Sequence, residues 1–189
     1  MSKIFITSDT HFCHDKPFIY EPRGFSSVNE MNEAIIKNWN KVVKPDDIVY
    51  HLGDVMLNDD ACGIQCLQRL NGEIYILTGN HDTTNRLQKY KNINSNIHLM
   101  GYVNIIVYNK CKFYLSHYPT LTSNNDEDKP LSRRVINICG HAHTEDKFAD
   151  WNKGLIYHAE LDAHNCYPIT LDQIIKDIKE KQYKEEIKK

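Results

Sequence analysis

The chain is 189 residues long, with 41% hydrophobic and 25% charged residues. This predicts a single water-soluble globular domain spanning 1–189 and excludes collagen-like, low-complexity and wholly disordered classes. Lys and Arg number 23 against 25 Asp and Glu, a formal net charge of -2, so no overall cationic excess exists to hold long nucleic acid through its phosphates. No stretch is long and apolar enough to cross a bilayer, and the opening MSKIFITSD runs into a charged, His-containing segment in place of a signal-peptide core. The expected location is cytoplasmic, with no membrane partner. The six cysteines, Cys13, Cys62, Cys66, Cys111, Cys139 and Cys166, include no CxxC pair and are expected to be free thiols.

Residues 3–7 (KIFIT) read as a buried strand closed by turn residues. Residues 26–43 follow with Val28, Met31, Ile35, Trp39 and Val42 at helical spacing; Ser27 and Glu30 have the spacing of a capping box, and Pro45 lies just past the end. A second strand is predicted over 47–52 (DIVYHL), then a shorter helix over 60–70 with Ile64, Leu67 and Leu70 inward and Asn71-Gly72 as its stop, then a strand over 73–78 (EIYILT). That alternation is a βαβ pattern. Residues 101–116 read as two strands with a turn near Asn109 and Lys110, so the second half of the sheet is expected to be hairpin-rich or mixed. A polar, acidic loop is expected over 123–130, a strand over 135–139, and a terminal helix from Leu171 that carries Ile174, Ile175 and Ile178 and frays from about residue 180.

The strand ends deliver Asp9 and His11 (SDTH), Asp54 (LGD), Asn80, His81 and Asp82 (GNHD), His117 (LSH), and His141 and His143 (GHAH). In open α/β sheets ligands gather at the carboxyl ends of strands, so these separated motifs are placed to meet. Carboxylates and imidazoles with no thiolate among them suit first-row divalent ions such as Mn, Fe or Zn better than Ca. Seven candidate donors are too many for one ion. Two ions sharing Asp54 use them fully, and such a pair stabilises phosphoryl charge and lowers the pKa of a bound water to give a hydroxide nucleophile.

The ordered set D-x-H, G-D, G-N-H-D, S-H and G-H-x-H over residues 9–143 resembles the calcineurin-like metallophosphoesterase family, and the opening SDTHFCHDKPF is similar to its small bacterial and phage members. The resemblance implies an α/β sandwich of two mixed sheets flanked by helices. It implies a hydrolase acting on a small phosphomonoester or phosphodiester through two divalent ions, Mn or Fe before Zn or Ni. Asp9, His11 and His143 would hold one metal, Asn80, His117 and His141 the other, and Asp54 both. His81 would be the catalytic histidine that faces substrate and protonates the leaving group. The sequence departs from the common pattern at Cys13, where a Gly is frequent, at Asp82, where many members have Glu, and at Ser116, where many have Gly. It also lacks the D-R that follows G-D in the protein-phosphatase branch, which argues against phosphoprotein substrates.

Outside the ordered set, His51 is expected to pack or hydrogen-bond beneath Asp54. His14 could meet substrate at the rim or stand exposed without a task. Arg23 and the Arg133-Arg134 pair are phosphate-binding candidates because a guanidinium matches phosphate geometry. His158, Asp162, His164 and Asn165 could approach the site from the other half of the sheet. Two rival functions follow from the same residues. A nuclease acting on DNA or RNA would need a basic platform that the net charge does not supply. A non-catalytic metal-binding scaffold is disfavoured because all seven donors and His81 are present.

Overall fold

A computed structural model describes residues 2–122, 130–151 and 155–187. Among these residues nine strands form two sheets. The first has the order β4-β3-β2-β1-β9, from β1 (Ile4–Thr7), β2 (Ile48–His51), β3 (Glu73–Leu77), β4 (Ile97–Gly101) and β9 (Ile169–Thr170). Strands β1 to β4 pair in parallel and β9 adds antiparallel to β1. The second sheet has the order β5-β6-β7-β8, from β5 (Val103–Tyr108), β6 (Cys111–Ser116), β7 (Val135–Cys139) and β8 (Ile156–His158). Its first pair is antiparallel and the others parallel. Both sheets are thus mixed, and the helices α1 (Pro17–Tyr20), α2 (Val28–Val42), α3 (Asp60–Gln68), α4 (Thr84–Lys91) and α5 (Leu171–Glu186) flank them.

Alternation along the strands divides the core in two. Phe5, Val49, Ile74 and Ile76 face Ile35, Trp39 and Leu67 of α2 and α3. Ile6, Leu52 and Leu77 point the other way, onto Phe113, Leu115, Ile136, Ile138 and the inward face of α5. Helix α2 begins where the capping signature places it: Ser27 Oγ accepts from Glu30 N, while the Glu30 carboxylate accepts from Ser26 N and Ser26 Oγ, one residue earlier than the reciprocal bond of a capping box. The hairpin turn at Asn109 and Lys110 has φ 48° and 64° at these two residues, the left-handed pair that a two-residue loop needs.

Five elements, α1, β4, α4, β8 and β9, lie outside the sequence expectations. The strand β4 and helix α4 occupy a stretch rich in Asn and Lys that gave no strong period, and β8 has only three residues. Helix α5 continues to Glu186, beyond the predicted fraying, because Trp151 Nε1 donates to Glu185 Oε2 and Lys181 pairs with Glu185. The acidic loop predicted over 123–130 lies, except for Pro130, outside the described residues.

One cysteine expectation is overturned. Cys13 and Cys62 form a disulfide, with Cα atoms 6.1 Å apart across a separation of 49 residues, and Cys66 Sγ lies 3.9 Å from Cys13 Sγ. The pairing has no local signal because it joins the loop after β1 to α3, which only the βαβ crossover brings together. Cys66, Cys111, Cys139 and Cys166 are free and buried. Among the described residues no helix is long and apolar enough to cross a membrane.

Candidate metal centre

Parallel strands carry their C-terminal ends to one edge, and the loops leaving β1, β2, β3, β6 and β7 converge there. They bring together all seven donors expected from the sequence. His11 Nε2 and His143 Nε2 face each other at 3.1 Å, each 3.7 Å from Asp9 Oδ1. Asn80 Oδ1 lies 2.8 Å from His117 Nε2 and 2.9 Å from His141 Nδ1. Asp54 Oδ2 stands between these groups, 3.7 Å from His11 Nε2 and 3.5 Å from His117 Nε2. Ligand atoms of Asp9, His11 and His143, and separately of Asp9, Asp54 and His117, fall within 4.8 Å of one another.

A divalent cation fits this arrangement on the evidence of the donors themselves. Asp9 Oδ1 is fully buried and has no hydrogen-bond partner, a costly state for a carboxylate oxygen unless a cation takes it up. The ring tautomers are fixed from behind. His117 Nδ1 donates to Leu52 O at 3.0 Å, and His143 Nδ1 donates to Asp162 Oδ2 at 3.2 Å, so each leaves its Nε2 lone pair facing the centre. Burial opposes ionisation of Asp9, yet the imidazoles of His11, His117 and His143 around it hold its carboxyl well below the usual range. Burial, helped by the charge of Asp9, raises Asp54 instead, with His117 and His11 acting against the rise. A cation between the two carboxylates favours ionisation of both.

Backbone conformation sets this geometry. Among the described residues eleven non-glycine positions have positive φ, and five of them are Asp9, His11, Asp54, His141 and His143. Each left-handed residue costs on the order of 1–2 kcal/mol, and the concentration of that strain at the donors is a mark of a functional site. The left-handed conformation at alternate positions turns Asp9 and His11 toward each other, and sends His143 to that pair and His141 to Asn80. Glycine is required where these loops approach one another closely. A Cβ at Gly79 would run into Asp54, and one at Gly140 into Ser8 and the Asp9 carboxylate.

The carboxylate of Asp82 binds the loops together, accepting from Asp54 N at 2.7 Å, Gly79 N at 2.9 Å and Val55 N at 3.3 Å, with the Tyr90 hydroxyl donating to it at 2.9 Å. His81 is not in the donor set. Its N–H donates to Asp54 Oδ1 at 2.8 Å, and its ring, with the side chain 40% exposed, stands with Nε2 3.9 Å from Asp54 Oδ2.

The other candidates divide. His51 is fully buried; it accepts from Gly53 N at 3.2 Å and donates from Nε2 to Thr10 Oγ1 at 2.9 Å, beneath Asp54 as expected. Burial pushes its pKa down to about 4. His14 is buried and not exposed, its ring 5.3 Å from that of His11 and 6.4 Å from that of His81, so it belongs to the wall of the centre. Burial, with the charges of neighbouring histidines, lowers it to about 4.

Arg23 is not available to phosphate. Its side chain is 1% exposed, bidentate to Asp162 at 2.9 and 2.8 Å, and donates to Asp9 O at 2.8 Å. It steadies the Asp162 carboxylate that orients His143, a role no local sequence signal reveals because the pair is 139 residues apart. Arg133 and Arg134 sit before the first residue of β7, roughly 16 Å of strand from the His141 end. His158 is buried between Glu160 at 3.0 Å and Asp150 at 3.3 Å, and His164 donates to His158 O, so both are occupied away from the donors. A cavity of about 480 Å³ opens beside His143, lined by Phe25, Glu145, Asp162 and Asn165 among others.

Residues 2–158 match the calcineurin-like phosphoesterase superfamily domain. A protein of Methanocaldococcus jannaschii named only as uncharacterised is 36% identical over 181 residues, covering 93% of this chain and 91% of that one. The gene 66 protein of Mycobacterium phage L5 is 26% identical over 165 residues, covering 76% and 79%. The crystal structure of a protein of unknown function from Aquifex aeolicus shares the fold, with a TM-score of 0.71 at 24% identity over 93% of this chain and 99% of that one. The match over residues 2–158, together with the archaeal relative, shows that this chain belongs to the calcineurin-like phosphoesterase superfamily.

Proposed function

We propose that the protein is a metal-dependent phosphoesterase that hydrolyses a small phosphomonoester or phosphodiester at a pair of divalent ions, Mn or Fe before Zn or Ni. The position of Asp54 Oδ2 between His11 and His117 carries this reading, because one carboxylate oxygen there serves two donor groups at once. In it, Asp9, His11 and His143 would hold one ion, Asn80, His117 and His141 the other, with Asp54 serving both. When bound, the pair supplies Lewis acidity toward phosphoryl oxygens and a water of lowered pKa.

The chain's own groups do the rest. His81, over Asp54 and partly open to solvent, is placed to hydrogen-bond a phosphate oxygen and to pass a proton to the departing oxygen as its bond to phosphorus breaks. Asp162 and Leu52 O hold the ligand rings in their tautomers, and Asp82 fixes the Asp54 loop against the Gly79 turn. The net charge of -2 favours small esters over long duplex DNA, and the assembled donor set together with His81 favours catalysis over a purely structural metal site.

The test is metal removal and return. Chelation should abolish hydrolysis of bis(4-nitrophenyl) phosphate, Mn should restore it, and metal analysis should approach two equivalents per chain. Full activity in metal-free protein would end the proposal.

A further inference from the structure

The two halves of the candidate centre each carry an exposed aromatic ring. Phe18 is 68% exposed and stands edge-on to His14, with ring centroids 5.7 Å apart; His14 in turn neighbours His11 and His81. Tyr118 is 49% exposed and lies 4.7 Å from the ring of His141 and 5.2 Å from that of His117. Phe18 therefore flanks the donors around His11, and Tyr118 those around His117. The placement of each is enforced locally. In α1 the buried Ile19 turns Phe18 outward, since successive helical residues are rotated by about 100°, and Tyr118 directly follows the donor His117. Among the described residues the other exposed large apolar side chains lie at Tyr102, along β5, at Leu121 and at the end of α5.

We propose that Phe18 and Tyr118 are stacking platforms for the two nucleobases of a short single-stranded nucleotide diester, one on each side of a phosphate seated at Asp54 and His81. The proposal rests on the phosphoesterase reading above and names its substrate class. Two platforms on opposite sides of one phosphate match a diester, which has two ester arms; a monoester has one. Separate rings divided by imidazoles suit planar groups, whereas an acyl chain would need a continuous apolar trough. Stacking on aromatic side chains accepts any base, so the platforms set the class of substrate and not its sequence.

The experiment compares the dinucleotide dTpdT with its abasic analogue, which keeps the phosphodiester and both sugars and lacks the bases. In Mn-loaded protein kcat/KM should favour dTpdT, and Phe18→Ala or Tyr118→Ala should each cut that preference about five- to a hundredfold. Phe18→Leu, apolar but without a π face, should lose as much as Phe18→Ala, and Phe18→Trp should restore the preference. Tyr183→Ala, an exposed ring on α5 away from the donors, should change nothing. Independently of turnover, titrating dTpdT into metal-free protein should move the thymine H6 resonances upfield by ring current, and the shift should shrink in the Phe18 and Tyr118 variants. Turnover of bis(4-nitrophenyl) phosphate with no discrimination between the two dinucleotides would overturn this inference and leave the phosphoesterase reading standing. Ring-current shifts without turnover of any ester would support the platforms and overturn that reading. No shift and no turnover would overturn both.

Discussion

His81 and His51 both border the loop of Gly53 and Asp54 and show how one residue type takes different tasks from its surroundings. His81 is partly solvated and outside the donor set, so its loss should spare metal binding. A general acid helps most when the departing oxygen is a poor leaving group, typically by ~10²–10⁴-fold. In His81→Ala, metal content should stay near wild type while hydrolysis of alkyl or nucleoside esters falls further than that of nitrophenyl esters; an equal fall would indicate oxyanion stabilisation in place of proton donation. His51 is sealed in the core and held neutral, its pKa pushed down to about 4 by burial. The unfolded chain takes up this proton first, so the stabilisation is complete above pH ~6.5 and is lost as pH falls toward 4, a change on the order of 3 kcal/mol. Urea unfolding of metal-free protein at pH 7.5 and 4.5 should show this loss. The loss should be smaller by about 2–3 kcal/mol in His51→Gln, which has no proton to gain.

At the scale of elements, the centre depends on how loops brace one another. The turn Leu161–His164 supplies Asp162, which holds Nδ1 of His143 on the loop after β7 and is itself held by Arg23 from the loop after α1. Asp162→Asn preserves shape but removes the charge that steadies the imidazole, and such changes typically cost 10–100-fold in metal affinity. Titration calorimetry with Mn should show one of two sites weakened by about that factor, while far-UV circular dichroism stays unchanged. Arg23→Met should weaken the same site and also lower stability, because it strands a buried carboxylate. Equal weakening of both sites would place Asp162 elsewhere in the network.

Across the whole molecule, the two hydrophobic clusters draw mainly on strand and helix residues and include none of the donors. The fold should therefore survive metal loss. Binding to the native state alone adds RT ln(1 + [L]/Kd), about 2.7 kcal/mol for a site at 100 times its Kd. Calorimetry should show a cooperative transition in chelator that moves several degrees higher in excess Mn; a chelated protein with no transition would mean that the metals hold the fold itself. The Cys13–Cys62 disulfide adds a second brace, tying the loop of Asp9 and His11 to α3.

The sequence by itself determined the elements whose burial is regular and marked the candidate donors whose motifs end strands. Helix α2 and strands β1, β2, β3, β6 and β7 were legible because each buries one continuous apolar face, and a period of 3.6 or 2 records that burial. Asp9, His11, Asp54, Asn80, His117, His141 and His143 stood out as candidate donors because they are metal-ligating residue types beside turn residues, and the structure brings them together. Tertiary structure alone decided what depends on distant contacts. The strand β4 and helix α4 form where neighbouring parallel strands and the cluster around Tyr90 supply the stabilisation that local propensity lacks. Arg23 became a strut because Asp162 met it from 139 residues away. His14 was drawn into the wall by His11 and His81, and Cys13 found Cys62 across the β1–α3 packing. Left-handed backbone at five donors has no sequence signature when the residues are not glycine, since the conformation is imposed by bonds to other loops, such as His11 N to Asp54 O and His141 N to Asp9 Oδ2.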